Sequence, residues 1–150
     1  MGLNAKRIVS VAGIAAAGVG VAWFFRNRYL FTQSDVTTGE SPAYPDLRAH
    51  VYFAQNPEAR NTVEAAIRSL LHWRHVATDE AGTHVWAEVE SPVNGFLSDV
   101  IVTLEPLGPR HTRVVVRSKS QAGGPVGDLG ENARYIRQFQ AQMDEMLTGG

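Results

Sequence analysis

An uncharged run of 18 residues, Ile8 to Phe25, constrains this chain more than any other feature. As a helix at ~1.5 Å per residue it spans roughly 27 Å, close to a hydrocarbon core of ~30 Å. Ser10 is its only polar side chain, and a serine in a helix can bond back to a carbonyl of the preceding turn. Trp23, Phe24, Phe25 and Tyr29 cluster beside Arg26 and Arg28, a combination that suits the headgroup level of a bilayer. A cleaved signal peptide would carry a shorter apolar stretch followed by small residues, whereas this run ends in Trp-Phe-Phe-Arg. A fully buried helix would need cover on every side from a small domain. Residues 1–28 are therefore predicted to be a short tail and one transmembrane helix.

Within that run Ala12, Ala16 and Gly20 recur every four residues, with Gly13 and Ala17 beside them. Such a small-residue flank lets a second helix approach closely, which predicts a partner-facing side to the anchor. The amino terminus, Lys6 and Arg7 lie before the run and Arg26 and Arg28 after it. The excess of one positive charge favours the amino terminus inside and the domain on the periplasmic or exoplasmic side.

Charge narrows the rest. The first 28 residues hold four basic side chains and no acid, so the remainder has ten basic against 15 acidic, a net of about −5. A nucleic-acid-binding domain normally shows a basic footprint, so nucleic acid is excluded as a partner. The chain has no cysteine, which removes disulfides, thiolate zinc sites and a thiol nucleophile.

Residues 29–47 show no apolar period and read as a linker. A domain follows over 48–150. Ala49 to Ala54 alternates Val51 and Phe53 against His50 and Tyr52, a first strand. Asn56-Pro57-Glu58 reads as a capped helix start, with Val63, Ala66, Ile67, Leu70 and Leu71 on one face and an end near Trp73. Trp73 to Thr78 and Thr83 to Glu90 flank the hairpin turn Asp79-Glu80-Ala81-Gly82. Ser98 to Glu105 and Arg110 to Ser118 complete four strands around Pro106-Leu107-Gly108-Pro109. Asp128, with Glu131 three residues on, reads as a capping box for a last helix whose stripe is Ile136, Phe139, Met143, Met146 and Leu147. The expected fold is α+β: after the anchor, a two-layer domain of about five antiparallel strands and two helices, β-α-β-β-β-β-α, similar to a helix-grip.

Several residues here match a known pattern. Val116-Arg117-Ser118-Lys119-Ser120, then Gly127-Asp128-Leu129-Gly130-Glu131-Asn132 and Ile136, resemble the signature of domain-of-unknown-function family 1499. Upstream, Asp35 to Ser41, Tyr44 to Leu47, and Gly95-Phe96 before Asp99-Val100 fit the same family, so the resemblance spans about 35–147. Gln121 stands where a basic residue is usual, and Ser98 replaces the first of a common Asp pair. The resemblance implies the fold and points to Asp99, Arg117, Ser118, Ser120, Asp128, Gly130 and Asn132 as structural or binding residues. It implies no activity. On the residues themselves, Asp128 is expected to cap, Gly130 to permit close packing and Asn132 to bond to the Ser118–Ser120 segment.

No catalytic constellation stands out. The chain lacks Gly-x-Ser-x-Gly, His-Glu-x-x-His and a phosphate-loop lysine. His72 and His75 could share a helix face but have no carboxylate at ligand spacing, and no metal or cofactor is expected. Arg113, Arg117 and Lys119, with Arg134 and Arg137, could form a basic patch for lipid headgroups, but cross-strand pairing of the arginines with Asp99, Thr103 and Glu105 is the favoured reading. The expected function is non-enzymatic: a single-pass accessory or structural subunit of a larger membrane complex, respiratory and photosynthetic assemblies included. Its partners would be the bilayer and other membrane-protein subunits. The alternative is an anchored module holding a lipid or other hydrophobic molecule between the sheet and the last helix.

Overall fold

The computed structural model describes residues 34–122 and 128–149. The 18-residue apolar run and its Ala12, Gly13, Ala16, Ala17 and Gly20 flank lie outside the described residues. Among those described, no helix is long and apolar enough to cross a membrane.

The elements follow in the order β1 (Asp35–Thr37), β2 (His50–Tyr52), α1 (Asn56–Ser69), β3 (Trp73–Thr78), β4 (His84–Glu90), β5 (Leu97–Pro106), β6 (Thr112–Ser120) and α2 (Glu131–Thr148). They form an antiparallel six-stranded sheet in the order β1-β6-β5-β4-β3, with β2 also on β6. Both helices pack on one face. The fold class is α+β, as the sequence predicts, with one strand more than the five expected.

Alternation explains the sheet. Along β5, Ser98, Val100, Val102 and Leu104 face inward, and along β6 Thr112, Val114, Val116 and Ser118 do the same. Their period of two matches the pleat and aims each set at the helices. Val63 and Ile67 of α1 and Ile136, Phe139 and Met143 of α2 fill the space opposite. Trp73 stacks on Phe139 at 5.9 Å between ring centroids.

The added strand comes from the expected linker. Asp35–Thr37 pairs with Arg117–Lys119, while His50–Tyr52 pairs with Thr112–Val114. Two short strands therefore share one edge of β6. Between them Tyr44 and Leu47 are buried. Arg137 of α2 bonds Asp46 at 2.8 Å and lies over the Tyr44 ring, and Gln140 donates to the Arg48 carbonyl at 2.7 Å. From Asp35 onward the expected linker is domain, because tertiary pairing holds a stretch that has no period of its own.

Other local expectations need correction. In β2 it is Tyr52 that turns inward, while Val51 and Phe53 are exposed. At α1 the cap position is Gln55, which makes no side-chain cap bond. Asn56 instead donates to the Gly82 carbonyl at 3.2 Å, tying the helix start to the β3–β4 turn. The helix stops at Ser69, four residues short of Trp73, because Leu70 turns to extended geometry and His72 is left-handed at φ 69°. Leu71 is thereby turned out to solvent, and His75 sits on β3, so the two histidines share no helix face. Met146 is exposed rather than in the buried stripe of α2.

Candidate functional site

The family-motif residues divide between the two faces of the sheet. Ser118, Ser120, Asp128, Gly130 and Asn132 come together where β6 ends and α2 begins. Arg117 and Asp99 point to the opposite, open face.

The first group is built around Asn132, which is fully buried. Its amide oxygen accepts from the Ser118 hydroxyl at 2.6 Å. Its amide nitrogen donates to the Ser120 hydroxyl at 2.9 Å and to the Ser34 carbonyl at 3.1 Å. The Ser120 backbone N–H donates to the same Ser34 carbonyl at 2.9 Å. One amide thus ties α2, β6 and the first described residue together, with both amide protons and the carbonyl engaged. Such a network holds three segments in register. It leaves none of this side chain's donors for a ligand.

The helix start supports it. The Asp128 carboxylate accepts from the Gly130 and Asn132 backbone N–H groups, each at 2.8 Å. Asp128 therefore caps α2, but from two residues before the cap position, which Gly130 occupies at φ 84°. Leu129 is also left-handed at φ 55°. Glycine adopts this conformation freely, whereas leucine does so at a cost of about 1–2 kcal/mol. Gly130 thus serves a left-handed backbone turn. Glu131 does not close a capping box. Its carboxylate accepts from the Ser91 hydroxyl at 2.8 Å and from Arg134 at 3.2 Å, fastening the β4–β5 loop to α2. A shallow pocket of about 460 Å³ opens beside these groups, lined by Ser34, Val93, Phe96, Asp128, Leu129 and Arg134 among others.

The open face carries the charged members. Arg117 pairs with Asp35, 82 residues away, where a β5 partner was expected. Arg113 does meet Glu105, at 3.6 Å. Asp99 accepts from the Gln121 amide at 2.8 Å, and Glu88 from Gln121 and Arg74 at 2.8 and 2.6 Å. Between these groups Trp86, Ile101 and Arg117 stand in register across β4, β5 and β6, and His84 stacks on Trp86 at 5.9 Å. A broad groove of about 650 Å³ runs here past Thr37, Ile101, Thr103, Val115 and Arg117.

A third polar cluster lies at the far end. Tyr52 donates to Asp144 at 2.8 Å, and His50 Nδ1 is 3.0 Å from the same oxygen. Burial and the neighbouring carboxylate push the Tyr52 hydroxyl well above the ordinary phenol range, so it is a donor at any ordinary pH. At the β3–β4 turn, Asp79 accepts from the backbone N–H of His84 and of Thr83, which holds its carboxyl far below the usual carboxylate range. This is turn chemistry. Among the described residues no group of three potential metal ligands converges.

Sequence reasoning missed Ser34, Asp35 and Ser91. Their roles depend on partners 82 residues or more away for Asp35 and 98 for Ser34, and 40 for Ser91. No local pattern marks such pairings. No curated protein matches the chain. The model of the family described as proteins of unknown function, DUF1499, matches residues 27–143. With all six strands, the capped start of α2 and the buried Asn132 network lying inside that span, this chain belongs to the DUF1499 family.

Proposed function

We propose that this chain is a non-enzymatic, single-pass membrane protein, an accessory or structural subunit of a larger membrane complex. The Ile8 to Phe25 run is its anchor, and the domain stands on the periplasmic or exoplasmic side. The observation that carries this reading is the engagement of Ser34 by Asn132 and Ser120. The chain reaches the domain from its apolar run through that residue, and the buried Asn132 side chain and the Ser120 backbone N–H clamp its carbonyl to α2 and to the sheet. A domain clamped where its tether enters holds a fixed pose over the membrane, which is what a subunit covering one face of a complex requires.

The small-residue flank of the anchor supplies a helix-packing side, and the groove by Ile101, Val115 and Arg117 offers an open sheet face to a neighbour. For the alternative, a hydrophobic ligand between the sheet and α2, no observation speaks: Ile136, Phe139 and Met143 occupy that space and are fully buried.

The test is gentle solubilisation of the native membrane, followed by native electrophoresis and sizing. Migration with a larger assembly, lost on changing Ala16 and Gly20 to leucine, is expected. Recovery only as a free monomer would overturn the reading.

A further inference from the structure

Four of the nine large apolar side chains exposed among the described residues lie at the end where Ser34 enters. Val93 is 81% exposed, Phe96 61%, Leu129 63% and Leu71 76%. Val93, Phe96 and Leu129 line one pocket with Ser34 itself. Leu71 lies two residues before the start of β3, and Trp73 stands opposite Val89, which stands opposite Ser98, so it belongs to the same end of the sheet. The far end holds Phe53, packed edge-on against His111, with Val51, Leu107 and Met146, which among the described residues line no pocket with the entering chain.

These side chains are held in place. The β4–β5 loop that carries Val93 and Phe96 is fastened through Ser91 to Glu131, and its Phe96 N–H donates to the Asn94 side chain at 2.9 Å. Leu129 is presented by a left-handed backbone that Asp128 braces on its other side. Pre-arranged side chains lose little freedom on docking. Of the carboxylates around them, Asp128 is engaged with backbone N–H groups and Glu131 with Ser91 and Arg134, while Glu90 lies beside Gly95 of the same loop.

The length of chain before Ser34 decides what covers them. Phe25, the last residue of the apolar run, is nine positions away, a reach of at most about 30 Å fully extended. A domain tethered so shortly keeps this end within about 30 Å of the end of the apolar run.

We propose that the Ser34 end of the domain rests on the lipid surface, with Val93, Phe96, Leu129 and Leu71 entering the headgroup layer as a second, peripheral membrane contact. Apolar and aromatic side chains favour that layer. This rests on the anchor reading given above.

The chain has no cysteine, so single substitutions provide unique labelling sites. Val93→Cys, Phe96→Cys and Leu129→Cys, with Phe53→Cys and Leu107→Cys as far-end controls, are made in the full chain. Each is spin-labelled and reconstituted in vesicles of phosphatidylcholine and phosphatidylglycerol. Collision with lipid-soluble oxygen is compared with collision with a water-soluble nickel chelate. Labels at 93, 96 and 129 are expected to favour oxygen several-fold over those at 53 and 107, with the chain resisting alkaline carbonate. Aqueous readings at all five sites, with the chain still carbonate-resistant, would overturn the docking and leave the anchor standing. Labels at 93, 96 and 129 shielded from both reagents, in vesicles and micelles alike, would assign the patch to protein and overturn it too. Release by carbonate with aqueous labels would remove the anchor and this inference together.

Discussion

Arg117 forks its guanidinium onto both carboxylate oxygens of Asp35, at 2.9 and 2.6 Å, joining the first strand of the domain to the sixth. Both side chains are partly exposed. The Arg117 hydrogen bond holds the Asp35 carboxyl below the usual carboxylate range. A lowered folded value means that the pair's contribution is complete above about pH 4 and is lost as pH falls through that lowered value. Asp35→Asn should cost about 0.5 kcal/mol at neutral pH, less in high salt. Urea midpoints at pH 7 and pH 3 should differ less in this variant than in the parent.

Asn132 is the residue whose loss should matter most among the motif positions. Asn132→Ala leaves two hydroxyls and a carbonyl without their partner in a buried place, a cost of about 2–3 kcal/mol. Asn132→Asp is the sharper variant. Its carboxylate would face the Ser34 carbonyl, so burial raises its folded pKa and favours the neutral acid. Stability of that variant should be highest at low pH and fall as pH rises through the raised value. Denaturant midpoints across pH 4 to 8 read this directly, and a flat profile would contradict the network.

Phe139 is fully buried and stacks on Trp73. Phe139→Ala should destabilise by about 3–5 kcal/mol through lost burial and the cavity left between α2 and the sheet. Near-ultraviolet circular dichroism should lose the Trp73 contribution, and the urea midpoint should fall with it.

The two left-handed residues before α2 should respond in opposite directions. Gly130→Ala places a Cβ at φ 84° and should cost about 1 kcal/mol. Leu129→Asn suits the left-handed backbone better and should leave thermal stability unchanged or raise it by about 0.5 kcal/mol. Because Leu129 is one of the exposed apolar side chains, the same change should weaken contact with lipid while sparing the fold. Thermal melts of the two variants check the pair.

Strands β3 to β6 and the core faces of both helices were legible because alternation and helical spacing are local signals. Val100, Val102 and Leu104 declare a face without help from the rest of the chain. Residues 35–47 were not legible. A three-residue strand, Asp-Val-Thr, has no room for a period, and Tyr44 and Leu47 are isolated apolar residues whose burial exists only once α2 packs over them. The end of α1 was hidden for a related reason: Leu70 and Leu71 continue the apolar spacing, and only the left-handed turn at His72 shows that the helix has stopped. At the candidate site, the link from Asn132 to Ser118 and Ser120 could be drawn from sequence, since it joins neighbouring elements. Its link to Ser34 and the bond from Arg117 to Asp35 could not.

The edge of β6 that receives both β1 and β2 has a consequence for how the chain is made. The residues that cover this edge are synthesised early and must wait, 80 to 84 residues for β1 and 60 to 64 for β2, before their partners exist. Until then β1 has no strand to lie on. Conversely, a clipped chain lacking its first 47 residues would present the β1-binding half of β6 as bare backbone beside the exposed β2 edge, an invitation to pair with another copy. Completion of this domain is therefore an act of closure by its oldest segment on one of its youngest strands.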